Sequence, residues 1–261
     1  MAMTLGSLLD ELRSNILHDK SDQVAGSSSD YLWDDTTLVR YINEAQRRFA
    51  RRSLCIRDNT TTAVSQFTTV TGQSVYTLDP SVIAVLSVRM TGDTQDIPRA
   101  GHAAFNTYSN PDPYYFDASQ LETIPPGKPL AWSSDDNITA DANGSFSVVN
   151  LTLFPVVAAP YNGIVGQMRV IREPINDLSL KNLKAYPEIP AAHHLDMLDW
   201  AAYLALRNVD TDVAGAGAAQ RAADFAARFE AHCMDLRKET MRKLFTPLQW
   251  GFGRNGWSWE T

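Results

Sequence analysis

Apolar residues recur at steps of three and four in two early stretches. Leu5, Leu8, Leu9, Leu12 and Ile16 predict a first amphipathic helix ending near His18 or Lys20. Leu38, Tyr41, Ile42, Ala45 and Phe49 predict a second, with Asp34 or Asp35 placed to cap its free backbone donors. Between Thr60 and Arg172 the pattern changes: β-branched residues crowd Thr60–Thr71, Ser74–Leu78 and Val82–Met90, with Pro80 separating two of these runs. Phe146–Phe154, after the turn residues Asp141-Ala142-Asn143-Gly144, predicts a strand ending at Pro155, and Gly163–Arg172 predicts its partner. Six prolines and glycines make 110–129 a long irregular excursion, anchored by Tyr114, Tyr115 and Phe116.

Helical spacing returns after Pro190, with Leu195, Leu198, Ala202, Ala205 and Val209 on one face and a break over 210–217. A last helix is expected over 218–243, carrying Ala218, Ala222, Phe225, Phe229, Cys233 and Leu236 on one stripe. Alanines on these two late helices suit close, antiparallel packing. The expected fold class is α+β: an antiparallel helical bundle with an inserted β-rich domain and an extended aromatic C-terminal arm. Its segments are the N-terminal helices 1–58, the β-rich insert 59–186, the C-terminal helices 187–244 and the arm 245–261.

The arm is set apart by Phe245, Trp250, Phe252, Trp257 and Trp259, spaced by Gly251, Gly253 and Gly256. A segment so broken by glycine is not expected to form its own helix, so its rings need either a partner's surface or the chain's own groove.

The chain has 261 residues, 44% hydrophobic and 20% charged, enough for one large or two modest soluble domains. Its formal charge of −7 argues against a surface that grips nucleic acid throughout. The charge is unevenly spread. Between residues 40 and 57 stand six arginines against the single acid Glu44, whereas 110–145 holds six acids against Lys128. Arg40, Arg47, Arg48, Arg51 and Arg52 form a ridge flanking the apolar stripe of the second helix. Such a ridge suits a solvated face, a subunit or partner contact, or phosphate.

Catalytic patterns are missing. There is no Gly-x-Ser-x-Gly elbow, phosphate-binding loop, dinucleotide turn or His-Glu-x-x-His pair. His193 and His194, followed by Asp196 and Asp199, read as polar residues at a helix start, and His18 and His232 as ordinary neighbours of helix ends and core. The acid pairs Asp34/Asp35, Asp135/Asp136 and Asp210/Asp212 read as caps and loop residues. Cys55 and Cys233 fit neither a disulfide framework nor a metal site, which points to a reducing compartment. No catalytic, cofactor-binding or metal-ligating residue is assigned, and no membrane-spanning stretch or signal peptide is read.

Trp33-Asp34-Asp35, then Leu38, Tyr41 and Ile42-Asn43-Glu44-Ala45-Gln46-Arg47, resemble the opening helical motif of head-to-tail adaptor, or connector, proteins of tailed bacteriophages. Thr152-Leu153-Phe154-Pro155, Val170 to Pro174, Ile189-Pro190 with Leu195, Asp199 and Tyr203, and the alanine-rich helix from Ala214 to Phe229 continue the likeness in order. The excursion over 110–129 departs from that family's compact pattern.

The resemblance implies a non-enzymatic virion component without cofactors. It implies a homo-oligomeric ring, commonly a dodecamer, that joins the portal protein to the tail or the next neck protein. Duplex DNA passes through such a ring without specific binding, and the ring sits in the virion neck after assembly in the host cytoplasm. By position, Phe245, Trp250, Phe252, Trp257 and Trp259 become portal-docking anchors, and Arg40, Arg47, Arg48, Arg51 and Arg52 become subunit or partner contacts. A tail or baseplate structural protein is the alternative; a nucleic-acid-binding module using the Arg40–Arg57 ridge and a motif-less hydrolase rank lower.

Overall fold

A computed structural model describes residues 2–19, 32–100, 125–135, 149–208 and 217–254. It is α+β, and it divides into two compact units. One combines residues 1–56 with 174–261, and the other is the continuous stretch 57–173.

The helical unit begins with α1 (Leu5–Glu11), whose free donors are met by Thr4: its hydroxyl accepts from the Ser7 amide. A π-helical stretch, Leu12–Leu17, continues it until His18 turns left-handed at φ 57° and ends the helical path. Helix α2 (Asp35–Ser53) starts under the Asp34 carboxylate, which accepts from the Thr36 amide at 3.0 Å. Arg51 and Arg52 occupy its last turn, where the helix dipole favours cations. Helix α4 (Leu198–Arg207) packs against α5 (Ala218–Arg254) through Trp200 on Phe229, ring centroids 5.2 Å apart. Leu8, Leu12, Leu38, Ile42, Phe49, Met197 and Phe229 fill one shared core.

The β unit holds two antiparallel sheets. In the first, β7 (Val165–Arg172) is central: β4 (Val82–Met90) pairs with one edge, and β1 (Arg57–Asp58) and β2 (Gln66–Thr68) share the other. In the second, β6 (Asn150–Phe154) lies between β3 (Val75–Thr77) and β5 (Ala131–Asp135). Trp132, Leu151, Leu153, Met168 and Val170 are buried between them. On β4 the buried residues Val82, Val85 and Val88 recur every third position. Two register irregularities, at Val82/Ala84 and Val85/Ser87, reset the usual alternation.

Five expectations change. The Gly163–Arg172 strand does not pair with the strand ending at Phe154, because β6 already has a neighbour on each edge. Thr60–Thr71 is interrupted by the short helix α3 (Thr62–Ser65): Asp58 gathers the Thr60 and Thr61 amides at 2.8 and 2.9 Å and turns the chain before β2 begins. After Pro190 the chain first makes a 3-10 turn (Ala191–His193), so α4 starts at Leu198 and Leu195 stands half exposed instead of on the core stripe. The last helix does not stop at Lys243. It continues through Pro247 and Gly251 to Arg254, so 245–254 is helical backbone and not extended arm. Adding turns to an existing helix avoids the nucleation cost that the glycines would impose on a separate one. The segment 174–186, grouped with the β-rich insert by its sequence, clusters with the helices. Val209, the break at 210–216 and Tyr114, Tyr115 and Phe116 lie outside the described residues.

Candidate functional site

Helix α2 divides its residues between a buried and an open face. Leu38, Tyr41, Ile42, Ala45 and Phe49 are in the core, and Thr36, Arg40, Glu44 and Arg51 are exposed at steps of four and seven. The five arginines of the ridge do not stand as equivalent charges. Arg47 places one guanidinium nitrogen 2.6 Å from both carboxylate oxygens of Asp177. Arg48 lies over the Trp200 ring at 3.7 Å and reaches Glu230 at 3.3 Å. Arg52 meets the same Glu230 at 3.3 Å. Arg40 is exposed and rests 5.4 Å from the Tyr41 ring centroid. Arg47, Arg48 and Arg52 thus have a carboxylate within their own unit, and Arg40 and Arg51 stand exposed on the outer rows of α2.

The motif around α2 serves mainly to build this unit. Trp33 is buried and donates its indole N–H to the Ala205 carbonyl at 3.3 Å. Asp35 accepts from Arg13 at 2.7 Å, and Arg13 also holds Asp19 and the Trp33 carbonyl. The Tyr41 hydroxyl accepts from Asn208 at 3.0 Å. Asn43 brackets the backbone of Leu178 in both directions, at 2.9 and 2.8 Å, and the Gln46 side-chain carbonyl accepts from the Glu188 amide at 2.9 Å.

These last contacts fix a strap, 174–190, along α2 beside Asn43 and Gln46 and against the start of α1. The Leu5 and Gly6 amides donate to the Ala185 and Leu183 carbonyls at 2.8 and 2.9 Å. Strap and helix enclose an open groove of about 430 Å³ whose lining includes Val39, Arg40, Arg47, Leu178, Leu180 and Lys181. Sequence reasoning passed over this strap. Its signal was the repetition of Leu178, Leu180 and Leu183 in a stretch otherwise made of Asn, Asp, Ser and Lys, too irregular for a helix or a strand.

The histidines and thiols have structural partners. His194 is buried: its Nδ1 accepts from the Met3 amide at 3.0 Å, and its Nε2 faces the Ile189 carbonyl at 3.1 Å. Burial pushes its pKa down and keeps the ring neutral. His193 pairs with Asp196 at 2.8 Å, beside His232. Asp199 accepts from Arg228 at 2.8 Å, with burial pushing its carboxyl up. Burial also raises the Cys55 thiol and, with the Glu230 charge, pushes Cys233 up to about 12, so neither is a ready thiolate. Among the described residues no group of three histidines, cysteines or acids is arranged to hold a metal ion, and no helix is long and apolar enough to cross a membrane.

Of the aromatic anchors, Phe245, Trp250 and Phe252 fall on the continuing backbone of α5. Trp257 and Trp259 lie outside the described residues.

No curated protein matches the chain. A family model does: that of the SU10 adaptor protein matches residues 3–251. The match runs from α1 through the β unit and into the late part of α5, in agreement with the adaptor resemblance carried by Trp33–Arg47 and the segments after it. By that match the chain belongs to the SU10 adaptor protein family, a family of phage head-to-tail adaptors and hence of structural components of the virion that contact other head or tail proteins.

Proposed function

We propose that this protein forms a ring adaptor in the virion neck, joining the portal to the tail or to the next neck protein and letting DNA pass. The observation that carries the reading is the family match across both helical segments and the β unit. In this reading the molecule is assembled in the host cytoplasm and acts without catalysis. An antiparallel helical bundle is its repeated body, and α2 presents the subunit contact.

The charge distribution supports passage of DNA without capture. Twelve copies at −7 would carry −84, a net field that repels phosphate. The ridge that a nucleic-acid module would need is partly neutralised by Asp177 and Glu230, which favours adaptor over DNA binder. Within the ridge the roles separate: Arg48 and Arg52 brace α2 against α5, and Arg40, Arg47 and Arg51 face outward to a neighbour.

The aromatic terminus is the portal anchor. Burying the four rings of Trp250, Phe252, Trp257 and Trp259 would remove roughly 600 Å² from water, about 15 kcal/mol gross at 25 cal/mol per Å². Ordering and association costs reduce the net to a small part of that. Phe245, Trp250 and Phe252 lie on the backbone of α5, and Trp257 and Trp259 follow in sequence.

Removal of residues 247–261 tests the anchor. The shortened chain is expected to keep its melting temperature and lose portal attachment. A sharp fall in melting temperature instead makes the terminus part of the chain's own core. A protein found at the tail tip or baseplate by electron microscopy supports the second reading, a tail structural protein. Tight, salt-sensitive binding to duplex DNA contradicts passive passage.

A further inference from the structure

Ile175, Leu180, Leu183 and Tyr186 are 42, 38, 47 and 58% exposed, a run of large apolar side chains within one short strap. They are not the tips of a loose loop. Backbone bonds from Leu5 and Gly6, and the Asn43 bracket on Leu178, hold the strap in place, so its apolar side chains are displayed on a fixed frame. The adjoining groove has Val39 and Leu178 in its lining, with Arg40, Lys181 and Glu44 beside the Arg47–Asp177 pair on its rim. Arg47 already faces Asp177, but Arg40 and Lys181 have no carboxylate partner among the described residues. The surface is apolar, and outside the Arg47–Asp177 pair its two cations outnumber its one acid, Glu44.

The same chain contains a sequence with the complementary character. Asp112-Pro113-Tyr114-Tyr115-Phe116-Asp117 puts three adjacent aromatic rings between two carboxylates. We infer that the groove between α2 and the strap receives the 112–117 segment of a second copy of this chain. Two different surfaces that complement each other make a heterologous contact, the kind that closes a ring when the rotation allows. The inference rests on the ring reading and adds to it the pair of surfaces that meet.

The test uses a labelled peptide spanning Asn110–Ser119, titrated against the full chain carrying Asp112→Lys and Asp117→Lys, whose own segment no longer competes. Saturable binding is expected. Adding Arg40→Glu and Lys181→Glu should weaken it about tenfold or more, and a peptide bearing the same two lysines should recover it. No binding, or binding indifferent to the reversed groove, overturns the inference. Carbodiimide cross-linking of mixed light- and heavy-isotope wild-type chains should join Asp117 to Lys181 across isotopes. Same-isotope links alone overturn it by placing the segment in its own chain's groove. A ring seen on the portal with a negative titration removes this contact and leaves the ring reading standing. A positive titration with mixed-isotope links but no ring removes the ring reading and leaves the contact.

Discussion

Two arginine–aspartate pairs of nearly equal length do different work in the two units. In the β unit Arg172 meets Asp58 at 2.7 Å with side chains only 11 and 4% exposed. In the helical unit Arg47 meets Asp177 at 2.6 Å with side chains 43 and 55% exposed. Separation alone says little about what a pair contributes; access to water decides it. The buried Asp58 also accepts from the amides and hydroxyls of Thr60 and Thr61, so it organises the turn into α3. The exposed Asp177 can exchange its partner at small cost, which is the behaviour a contact surface needs.

The largest predicted effect follows from breaking the buried pair. Asp58→Ala removes a buried carboxylate from the Arg172 guanidinium and from the Thr60 and Thr61 donors, and should destabilise the β unit by about 3–5 kcal/mol. Urea unfolding measures it; a loss similar to that of Arg47→Ala would erase the distinction between the two pairs.

Next comes the sheet that carries the pair. Gly166 lies beneath the Phe67 ring, and a Cβ there would collide with it. Gly166→Ala should cost about 1–3 kcal/mol, and an added Phe67→Leu should return part of the loss.

Acid sharpens the same comparison. Burial alone would raise the Asp58 pKa, but hydrogen bonds from Thr61, Thr60 and Arg172 outweigh it and hold the carboxyl well below the usual carboxylate range. Because the folded pKa is lower than the unfolded value of about 3.9, the stabilisation is complete above that value and is lost as pH falls toward the folded one. Asp58→Asn should therefore flatten the acid limb of the stability curve.

The smallest effects on stability belong to the arginine helix. Arg48→Ala removes the contact over Trp200 and one bond to Glu230, for about 1–2 kcal/mol. Arg47→Ala should cost less than about 1 kcal/mol in thermal unfolding. If α2 is the subunit contact, Arg47→Ala should still reduce assembly on the portal, an effect absent from the unfolding curve.

Elements set by local chemistry were legible in the sequence. Asp34 and the Leu38–Phe49 stripe located α2, and the β-branched run Val82–Met90 coincides with β4. What depended on distant partners was not legible. Gly163–Arg172 was readable as a strand, but its choice of neighbours depends on β6 being enclosed by β3 and β5. The ridge was visible as charge, yet Asp177 and Glu230 lie 130 and 182 residues from the arginines they meet. No local spacing announces such pairs. Nor does composition reveal that the Leu180, Leu183 and Tyr186 side chains are displayed, because the hydrogen bonds that hold the strap's backbone come from α1 and α2.

The most direct measurement is cryo-electron microscopy of the purified cognate portal mixed with this protein. A closed ring of its copies, coaxial with the portal at the tail-proximal end, is the predicted result. A portal left bare, while the same preparation decorates the distal tail of intact particles, would contradict the account.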